Sequence, residues 1–147
     1  MLGDVHGGAG EQCAQLYFDI AGRIDGAKSL SSAVTEGLDD WCAQHGKIVS
    51  GFGHRFHKPV DPRAPRLMQL VRDAAGAGVV DGRFAGIGEA VQAEIGRRRG
   101  QPIAMNIDGA TAVIFCELGF PAPMSRGLFC LSRSVGILAH AWEQMQQ

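Results

Sequence analysis

Apolar residues recur along this chain at steps of three and four, and no stretch alternates with a period of two. Steps of three and four bring side chains onto one face of an α-helix, whereas a period of two is typical of a strand. We therefore predict an all-α chain with six helices joined by short connections.

The first two predicted helices lie in the N-terminal third of the chain. The first covers residues 11–24, and its apolar face comprises Cys13, Leu16, Tyr17, Ile20 and Ile24. The second follows a serine cap, and its apolar face comprises Val34, Leu38, Trp41 and Cys42. Gly46 is expected to end the second helix, because glycine adopts a positive φ at little steric cost.

Capping signals mark the next helices. Asp61 is expected to be an N-cap with Pro62 at the first helical position, where a missing N–H costs nothing. A fourth helix follows in residues 81–100 and ends in the cations Arg97, Arg98 and Arg99. Asp108 is expected to cap a short fifth helix. The sixth runs from about Pro123 to Gln147 with the apolar residues Phe129, Leu131, Val135, Leu138 and Trp142.

Composition narrows the function classes. The chain has 147 residues, of which 46% are hydrophobic and 20% charged, and its net charge is −1. Proteins that bind nucleic acid or anionic membranes need a basic face, so neither partner is expected and any anion site must be local. Neither an apolar run long enough to span a membrane nor a signal-peptide pattern is evident, so we expect a cytoplasmic protein. The start beside a polar cluster and the end inside a helix suggest a piece of a longer chain.

The four cysteines lie far apart and form no CxxC pair. Each lies among apolar helical residues, which is typical of buried, reduced thiols rather than of a zinc site or a disulfide framework. We therefore expect no metal site.

Three polar positions flanked by glycines are candidates for chemistry: His6, His54 and Asp108. A histidine in a glycine-rich loop is often only exposed, and Asp108 could act only as a helix cap. Together, however, two imidazoles and a carboxylate can supply a base, an acid and a hydrogen-bond donor for proton transfer next to a carbonyl. Spacing alone does not show that the three meet.

The cations also have two interpretations. Arg63 and Arg66 lie where a helix begins, a position that favours a bound carboxylate, or they are simply solvated. The run Arg97–Arg99 is most simply a set of charges that stabilises a helix C-terminus. Arg133 lies on the apolar flank of the last helix and is expected to need a partner, either a structural carboxylate or an anionic ligand.

Four segments, in order and separation, resemble the last third or more of the citrate synthase family. They are "HGGAGE" at 6–11, "GFGHRFHKPVDPRA" at 51–64, "NIDGATAVIFCELGFP" at 106–121 and "GLFCLSRSVGILAHAWEQ" at 127–144. The family includes 2-methylcitrate synthases and citryl-CoA lyases. The resemblance implies a helical fold with a large and a small domain, an active site between them, and a homodimer. Residues 1–9 would be a hinge segment of the large domain, 10–112 the small, CoA-binding domain, and 113–147 returning helices of the large domain.

The resemblance also implies roles for individual residues. Asp108 matches the base that deprotonates the acetyl thioester, His6 the residue that stabilises the enol, and His54 the proton donor to the oxaloacetate carbonyl. Arg63 and Arg133 match arginines that bind the carboxylates of oxaloacetate or citrate. Lys58 matches a cation near the coenzyme A phosphates, and Gly51, Phe52 and Gly53 match a segment whose backbone contacts that molecule. Acetyl-CoA would be a co-substrate, with no tightly bound cofactor.

Some positions depart from the family's common pattern. His57 and Pro59 replace aromatic and polar residues of the family. The sequences of the "GDVHGG" and "IDGA" segments differ from those usual in synthases and resemble citryl-CoA lyases more. Three hypotheses therefore stand: a fragment of an enzyme that condenses acetyl-CoA with oxaloacetate through citryl-CoA, a citryl-CoA lyase, and a helical module that binds coenzyme A without catalysis. The family's upstream helices are missing, so the chain alone is expected to be an incomplete enzyme.

Overall fold

A computed structural model describes residues 7–147, and these residues fold into six α-helices. The helices are α1 (Ala9–Asp25), α2 (Leu30–His45), α3 (Arg63–Gly76), α4 (Arg83–Arg99), α5 (Ile107–Glu117) and α6 (Ala122–Met145). The one β-type pairing in this part of the chain is an isolated bridge between Phe52 and Met105. The prediction of an all-α chain with six helices is confirmed.

Helix α1 lies at the centre of the packing, because it contacts α2, α4, α5 and α6. The face predicted from its apolar spacing is the one that is buried, with Cys13, Leu16, Tyr17 and Ile20 almost completely covered. Burying such side chains is the main favourable contribution to folding, about 1.5–3 kcal/mol for a large aliphatic residue. Helix α5 contributes small buried residues, which allows its backbone to come close to its neighbours.

The four cysteines are free thiols. Cys13 and Cys116 are buried, as expected, whereas Cys42 and Cys130 are only half-buried. Burial raises the pKa of Cys116 to about 12 and raises that of Cys13 further, so neither thiol is a nucleophile near neutral pH.

Several predicted helix ends are confirmed by their backbone geometry. The hydroxyl of Ser29 accepts a hydrogen bond from the backbone N–H of Ser32 at the start of α2, and Gly46 ends that helix with a φ of 83°. The start of α4 is capped by a residue of another helix and not by a neighbour in the sequence. The carboxylate of Glu117, at the end of α5, accepts hydrogen bonds from the backbone N–H groups of Gly82, Phe84 and Ala85.

Two predicted helix starts are corrected. Asn106, not Asp108, is the N-cap of α5, because the Asn106 side chain accepts hydrogen bonds from the backbone N–H groups of Asp108 and Gly109 at 2.9 and 3.2 Å. Asp108 already lies in the first turn. Helix α3 begins at Arg63, one residue later than predicted, although the Asp61 carboxylate still accepts a hydrogen bond from the Arg63 N–H.

Helix α6 has two different halves. Its first half packs against α1, with Ala122 and Ser125 buried and an ion pair between Arg126 and Glu11. From Leu131 onward every residue is exposed, including an apolar set made of Leu131, Val135, Ile137, Leu138, Trp142 and Met145. Among residues 7–147, α6 and the other helices lack the length or the apolar character needed to cross a bilayer.

Candidate active site

The segments around His54 and Asp108 are joined by backbone hydrogen bonds. The N–H of Gly53 donates to the Ala104 carbonyl at 2.6 Å, and the N–H of Asn106 donates to the Gly51 carbonyl at 2.9 Å. The side-chain amide of Asn106 also donates to the Gly53 carbonyl at 2.9 Å. We call residues 51–54 and 104–109 the loop junction. Through it, the loop that carries His54 is fixed against the start of α5, which carries Asp108.

Two glycines allow this close approach. A Cβ on Gly51, whose φ is 88°, would lie 2.5 Å from the Cys13 sulfur and 2.9 Å from the Gly109 Cα. A Cβ on Gly109 would overlap the Gly51 carbonyl oxygen and lie 2.9 Å from Cγ of Met105. The Tyr17 hydroxyl of α1 donates a long hydrogen bond, 3.4 Å, to the Gly109 carbonyl. The loop junction therefore depends on the absence of side chains at these two positions.

The local backbone fixes the tautomer of His54. Its Nδ1 accepts hydrogen bonds from the backbone N–H groups of Phe56 and His57, each at 3.0 Å. A neutral imidazole has one donor and one acceptor nitrogen, so the proton of neutral His54 must lie on Nε2. His54 can thus present an N–H donor from the side of the ring away from its own loop.

Arg63 is held by a buried carboxylate. Its Nε and one terminal nitrogen donate to the two oxygens of Asp61 at 2.9 and 2.7 Å, and Asp61 is completely buried. The hydrogen bonds from Arg63 lower the pKa of Asp61 to about 2. The same pair raises the pKa of Arg63, and the Asp108 carboxylate raises it further. Three guanidinium N–H groups remain on a side chain that is 47% exposed, so Arg63 can still bind a second carboxylate.

A basic pocket opens beside His54. It has a volume of about 490 Å³ and is lined by Gly53, His54, His57, Lys58, Pro59, Arg99, Gln101, Pro102, Ile103 and Ala104. Lys58 and Arg99 bring positive charge to this set, and no carboxylate is among these lining residues. Arg99 is oriented by a 2.9 Å hydrogen bond to the Lys47 carbonyl. The lining chemistry suits an anion such as a phosphate.

The other two arginines of the 97–99 run have structural partners. Arg97 and Arg98 both donate to Glu94, and their hydrogen bonds lower the pKa of Glu94 to about 2. Arg98 also pairs with Asp39 of α2. The interpretation as charges at a helix end therefore holds for these two residues, whereas Arg99 lies in the basic pocket.

The remaining site predictions fall elsewhere. Arg133 lies on the exposed half of α6, with its guanidinium 5.3 Å from the centre of the Phe129 ring. Among residues 7–147, no carboxylate forms an ion pair with Arg133. His6 lies outside the described residues. The structure thus gathers His54, Asp108, Arg63, Lys58 and the glycine loop around one junction, without Arg133.

Sequence reasoning missed three residues that build this region. Asn106 both caps α5 and ties the two loops together, although an asparagine two residues before the aspartate was a local signal for the cap. Asp61 was recognised only as a cap, and its pairing with Arg63 depends on a side-chain geometry that spacing does not give. Tyr17 lies 92 residues from Gly109 in the sequence, so no local pattern could link them.

The sequence of this chain is similar to those of known proteins. The sequence profile described as "Citrate synthase, C-terminal domain" matches residues 1–147. Citrate synthase of Haloferax volcanii is 29% identical over 99% of this chain, and citrate synthase of Acidithiobacillus ferridurans is 33% identical over 99%. The match covers 36% of each of these relatives, so the chain spans about a third of their length.

Two solved structures have the same arrangement of helices. Citryl-CoA lyase from Hydrogenobacter thermophilus is 33% identical with a TM-score of 0.75, over 96% of this chain and 50% of the lyase. Citrate synthase from Thermoplasma acidophilum, solved with carboxymethyl coenzyme A and oxaloacetate, is 26% identical with a TM-score of 0.67, over 94% of this chain and 35% of the synthase. With a family profile matched over its whole length, the chain belongs to the citrate synthase family.

Proposed function

We propose that this chain carries the CoA-binding part and several catalytic residues of an enzyme that forms or cleaves the carbon–carbon bond of citryl-CoA. The observation that carries the proposal is the loop junction, which joins the His54 loop to the start of the helix that holds Asp108. Arg63, which the Asp108 carboxylate influences electrostatically, adds a carboxylate-binding group at the same place.

In the condensation direction, Asp108 removes a proton from the methyl carbon of acetyl-CoA, and His6 donates a hydrogen bond to the thioester oxygen of the resulting enolate. The enolate carbon then attacks the keto carbon of oxaloacetate while the keto oxygen takes a proton from Nε2 of His54, and the thioester carbonyl forms again. The product is citryl-CoA, whose hydrolysis gives citrate and coenzyme A. A donor that strengthens as charge develops lowers the barrier, because it binds the transition state better than the ground state.

Carboxylates of the substrate would bind Arg63 through its remaining N–H groups, and Arg133 would contribute from α6. The backbone of Gly51, Phe52 and Gly53 would contact coenzyme A, and Lys58 and Arg99 would face its phosphates. We place residues 1–9 in a hinge, 10–112 in a small domain and 113–147 in a large domain. The last boundary falls within α5, so α5 would belong to both parts.

Two observations bear on the rest of the enzyme. The chain matches only about a third of its relatives' length, and the exposed half of α6 presents an apolar face. We propose that the further residues of the whole enzyme cover this face and complete the active site, and that the whole enzyme is a homodimer. The catalytic test therefore uses the full-length polypeptide that contains this chain.

Exchange of the acetyl-CoA methyl hydrogens with deuterated solvent tests the role of Asp108. We expect Asp108→Asn to slow this exchange by at least about 100-fold, since general bases typically contribute 10²- to 10⁴-fold. Asp73→Asn, an exposed aspartate on α3, is the matched control and should leave exchange unchanged. Exchange at the unmodified rate in Asp108→Asn would contradict the proposal.

The lyase direction is the second candidate, and the structural similarity to citryl-CoA lyase of H. thermophilus favours it. Both directions use the same acid, base and carboxylate-binding groups, so a product assay is needed. Free thiol released from acetyl-CoA and oxaloacetate identifies a synthase, whereas acetyl-CoA released from supplied citryl-CoA, without net citrate formation, identifies a lyase. A 2-methylcitrate synthase would prefer propionyl-CoA.

A module that binds coenzyme A without catalysis is the third candidate. Calorimetric titration of the 147-residue chain with coenzyme A measures binding without requiring turnover. We expect Lys58→Ala to weaken binding severalfold, while Lys28→Ala, which removes an exposed lysine paired with Glu36, should not. Binding by the full-length polypeptide with neither methyl exchange nor citryl-CoA cleavage would favour the non-catalytic module.

A further inference from the structure

Asn106 uses both polar atoms of its side chain to connect the two segments of the loop junction. Its Oδ1 accepts hydrogen bonds from the backbone N–H groups of Asp108 and Gly109, and its Nδ2 donates to the Gly53 carbonyl at 2.9 Å. A reversed amide would place its own N–H groups against two N–H donors, so the junction requires this orientation. One side chain therefore orders the first turn of α5 and the loop that leads into His54.

Gly53 depends on this support more than the other two glycines of the junction do. Its φ is 86°, and a Cβ at this position would have no atom of the described residues within 4 Å, apart from its chain neighbours. The other two glycines meet atoms less than 3 Å from the Cβ position. Two hydrogen bonds hold Gly53 instead of packing. Its N–H donates to the Ala104 carbonyl, and its own carbonyl, in the peptide bond that leads into His54, accepts from Asn106.

We propose that Asn106 is a positioning residue that aligns the proton donor His54 with the base Asp108. Its amide donor holds the peptide bond before His54, and its oxygen holds the backbone of the turn that carries Asp108. The inference rests on the proposed function, because it takes these two residues to be the acid and the base.

The two chemical steps use these residues differently. Removal of the methyl proton needs Asp108 and His6, whereas the carbon–carbon step also needs the proton of His54. Loss of the amide donor alone should displace His54 and leave the turn of Asp108 in place. A displacement of about 1 Å in an active site can cost about 100-fold in rate, so the carbon–carbon step should slow while proton removal continues.

Asn106→Ser, in the full-length polypeptide that contains this chain, tests this role. Serine caps a helix about as well as asparagine does, but it has no amide group to bind the Gly53 carbonyl. We expect the carbon–carbon step, in the direction that the unmodified polypeptide catalyses, to slow by about 10- to 100-fold. Exchange of the acetyl-CoA methyl hydrogens with deuterated solvent should stay within about threefold of the unmodified rate. The ratio of the two rates is the readout, since a loss of folded enzyme lowers both alike.

Two further variants control the result. Asn106→Ala removes the cap of α5 together with the amide donor, so both rates should fall. Ser29→Ala removes the cap of α2, outside the loop junction, and should leave the ratio of the two rates unchanged. Far-ultraviolet circular dichroism shows whether each variant retains its helices.

The outcomes separate this inference from the proposed function. Equal losses of both rates in Asn106→Ser would overturn the inference, because Asn106 would then act on the site as a whole and not on the alignment of His54. Two unchanged rates would overturn it as well. In both cases the unmodified polypeptide still catalyses both steps, and the proposed function stands. An unmodified polypeptide that catalyses neither step would overturn the proposed function and this inference with it.

Discussion

Two arginines expected in the site, one beside the loop junction and one on the exposed half of α6, lie in opposite surroundings. Beside the junction, Arg63 is held by the fully buried Asp61, and within the junction the backbones of Gly51 and Gly109 are almost in contact. On α6, Arg133 lies on an exposed surface over Phe129. The sequence pattern of α6 is as regular as that of α1, yet α1 is covered on several sides and this half of α6 is not.

This difference teaches that a helical pattern predicts which face can be buried but not what buries it. Residues 7–130 contain the partners that cover α1 and order the junction. Among residues 7–147, no element buries residues 131–145, and the relatives are about three times as long as this chain. The neighbours of a site residue in space hold its side chain: among the described residues Arg63 is held by both oxygens of Asp61, whereas Arg133 contacts the Phe129 ring.

The largest expected effect comes from replacing a leucine by alanine in the buried helix α1 and, for comparison, in the exposed half of α6. Leu16 of α1 is 1% exposed, whereas Leu138 of α6 is 72% exposed. We expect Leu16→Ala to lower the free energy of unfolding by about 3 kcal/mol, through lost burial and a cavity, and Leu138→Ala to change it by less than about 0.5 kcal/mol. Urea denaturation followed by circular dichroism measures both. Equal losses would show that the second half of α6 is packed after all.

A second pair of substitutions, glycine to alanine in each case, tests the close contact of the two backbones at the loop junction. Gly109→Ala should cost about 2–3 kcal/mol, because its Cβ would overlap the Gly51 carbonyl, although alanine is the better helix former. Gly127→Ala, in α6 with no atom near its Cβ, should instead stabilise by roughly 0.5–1 kcal/mol. Opposite signs in urea denaturation are the expected result. Stabilisation by both alanines would mean that the two backbones are not in contact.

The Asp61–Arg63 pair should make stability depend on acid pH. Because Asp61 has its pKa lowered from 3.8 to about 2 in the fold, its contribution, about 2 kcal/mol, is present above pH 3.8 and is lost as the pH falls through about 2. Asp61→Asn should therefore be less stable at neutral pH, and the difference from the unmodified chain should shrink on acidification. Denaturation curves between about pH 2 and 7 measure it, with exposed Asp73→Asn as a control. A difference that is independent of pH would contradict the ion pair.

The smallest effect is expected for the arginines of α6. Arg126, in the packed half, pairs with Glu11 of α1, and Arg126→Gln should cost about 1 kcal/mol. Arg133→Gln should change the unfolding free energy by no more than about 0.5 kcal/mol, the scale of an exposed cation–π contact. Thermal denaturation of the two variants and the unmodified chain, in parallel, measures these changes in the unfolding free energy. A larger loss for Arg133→Gln would indicate a partner that the described residues do not provide.

Prediction from the sequence was best where the signal was local. Helix positions, the end at Gly46, and the buried face of α1 all follow from spacing and backbone preferences within a few residues. The cap of α5 was assigned to Asp108 instead of Asn106, because both residues favour helix starts and only the backbone geometry separates them. The cap of α4 could not be predicted, since Glu117 reaches it from another helix.

By itself, the sequence determined the fold class, the six helices and the family motifs, because periodic burial and capping are encoded within each helix and the four motifs are specific to the family. The tertiary structure alone decided that the His54 loop is bonded to the start of α5, that Asp61 is the buried partner of Arg63, and that Arg99 and His57 share a pocket with Lys58. These contacts join residues up to 53 positions apart, or depend on how neighbouring side chains turn. Their geometry depends on how the helices pack against one another, and no spacing rule along the chain contains it.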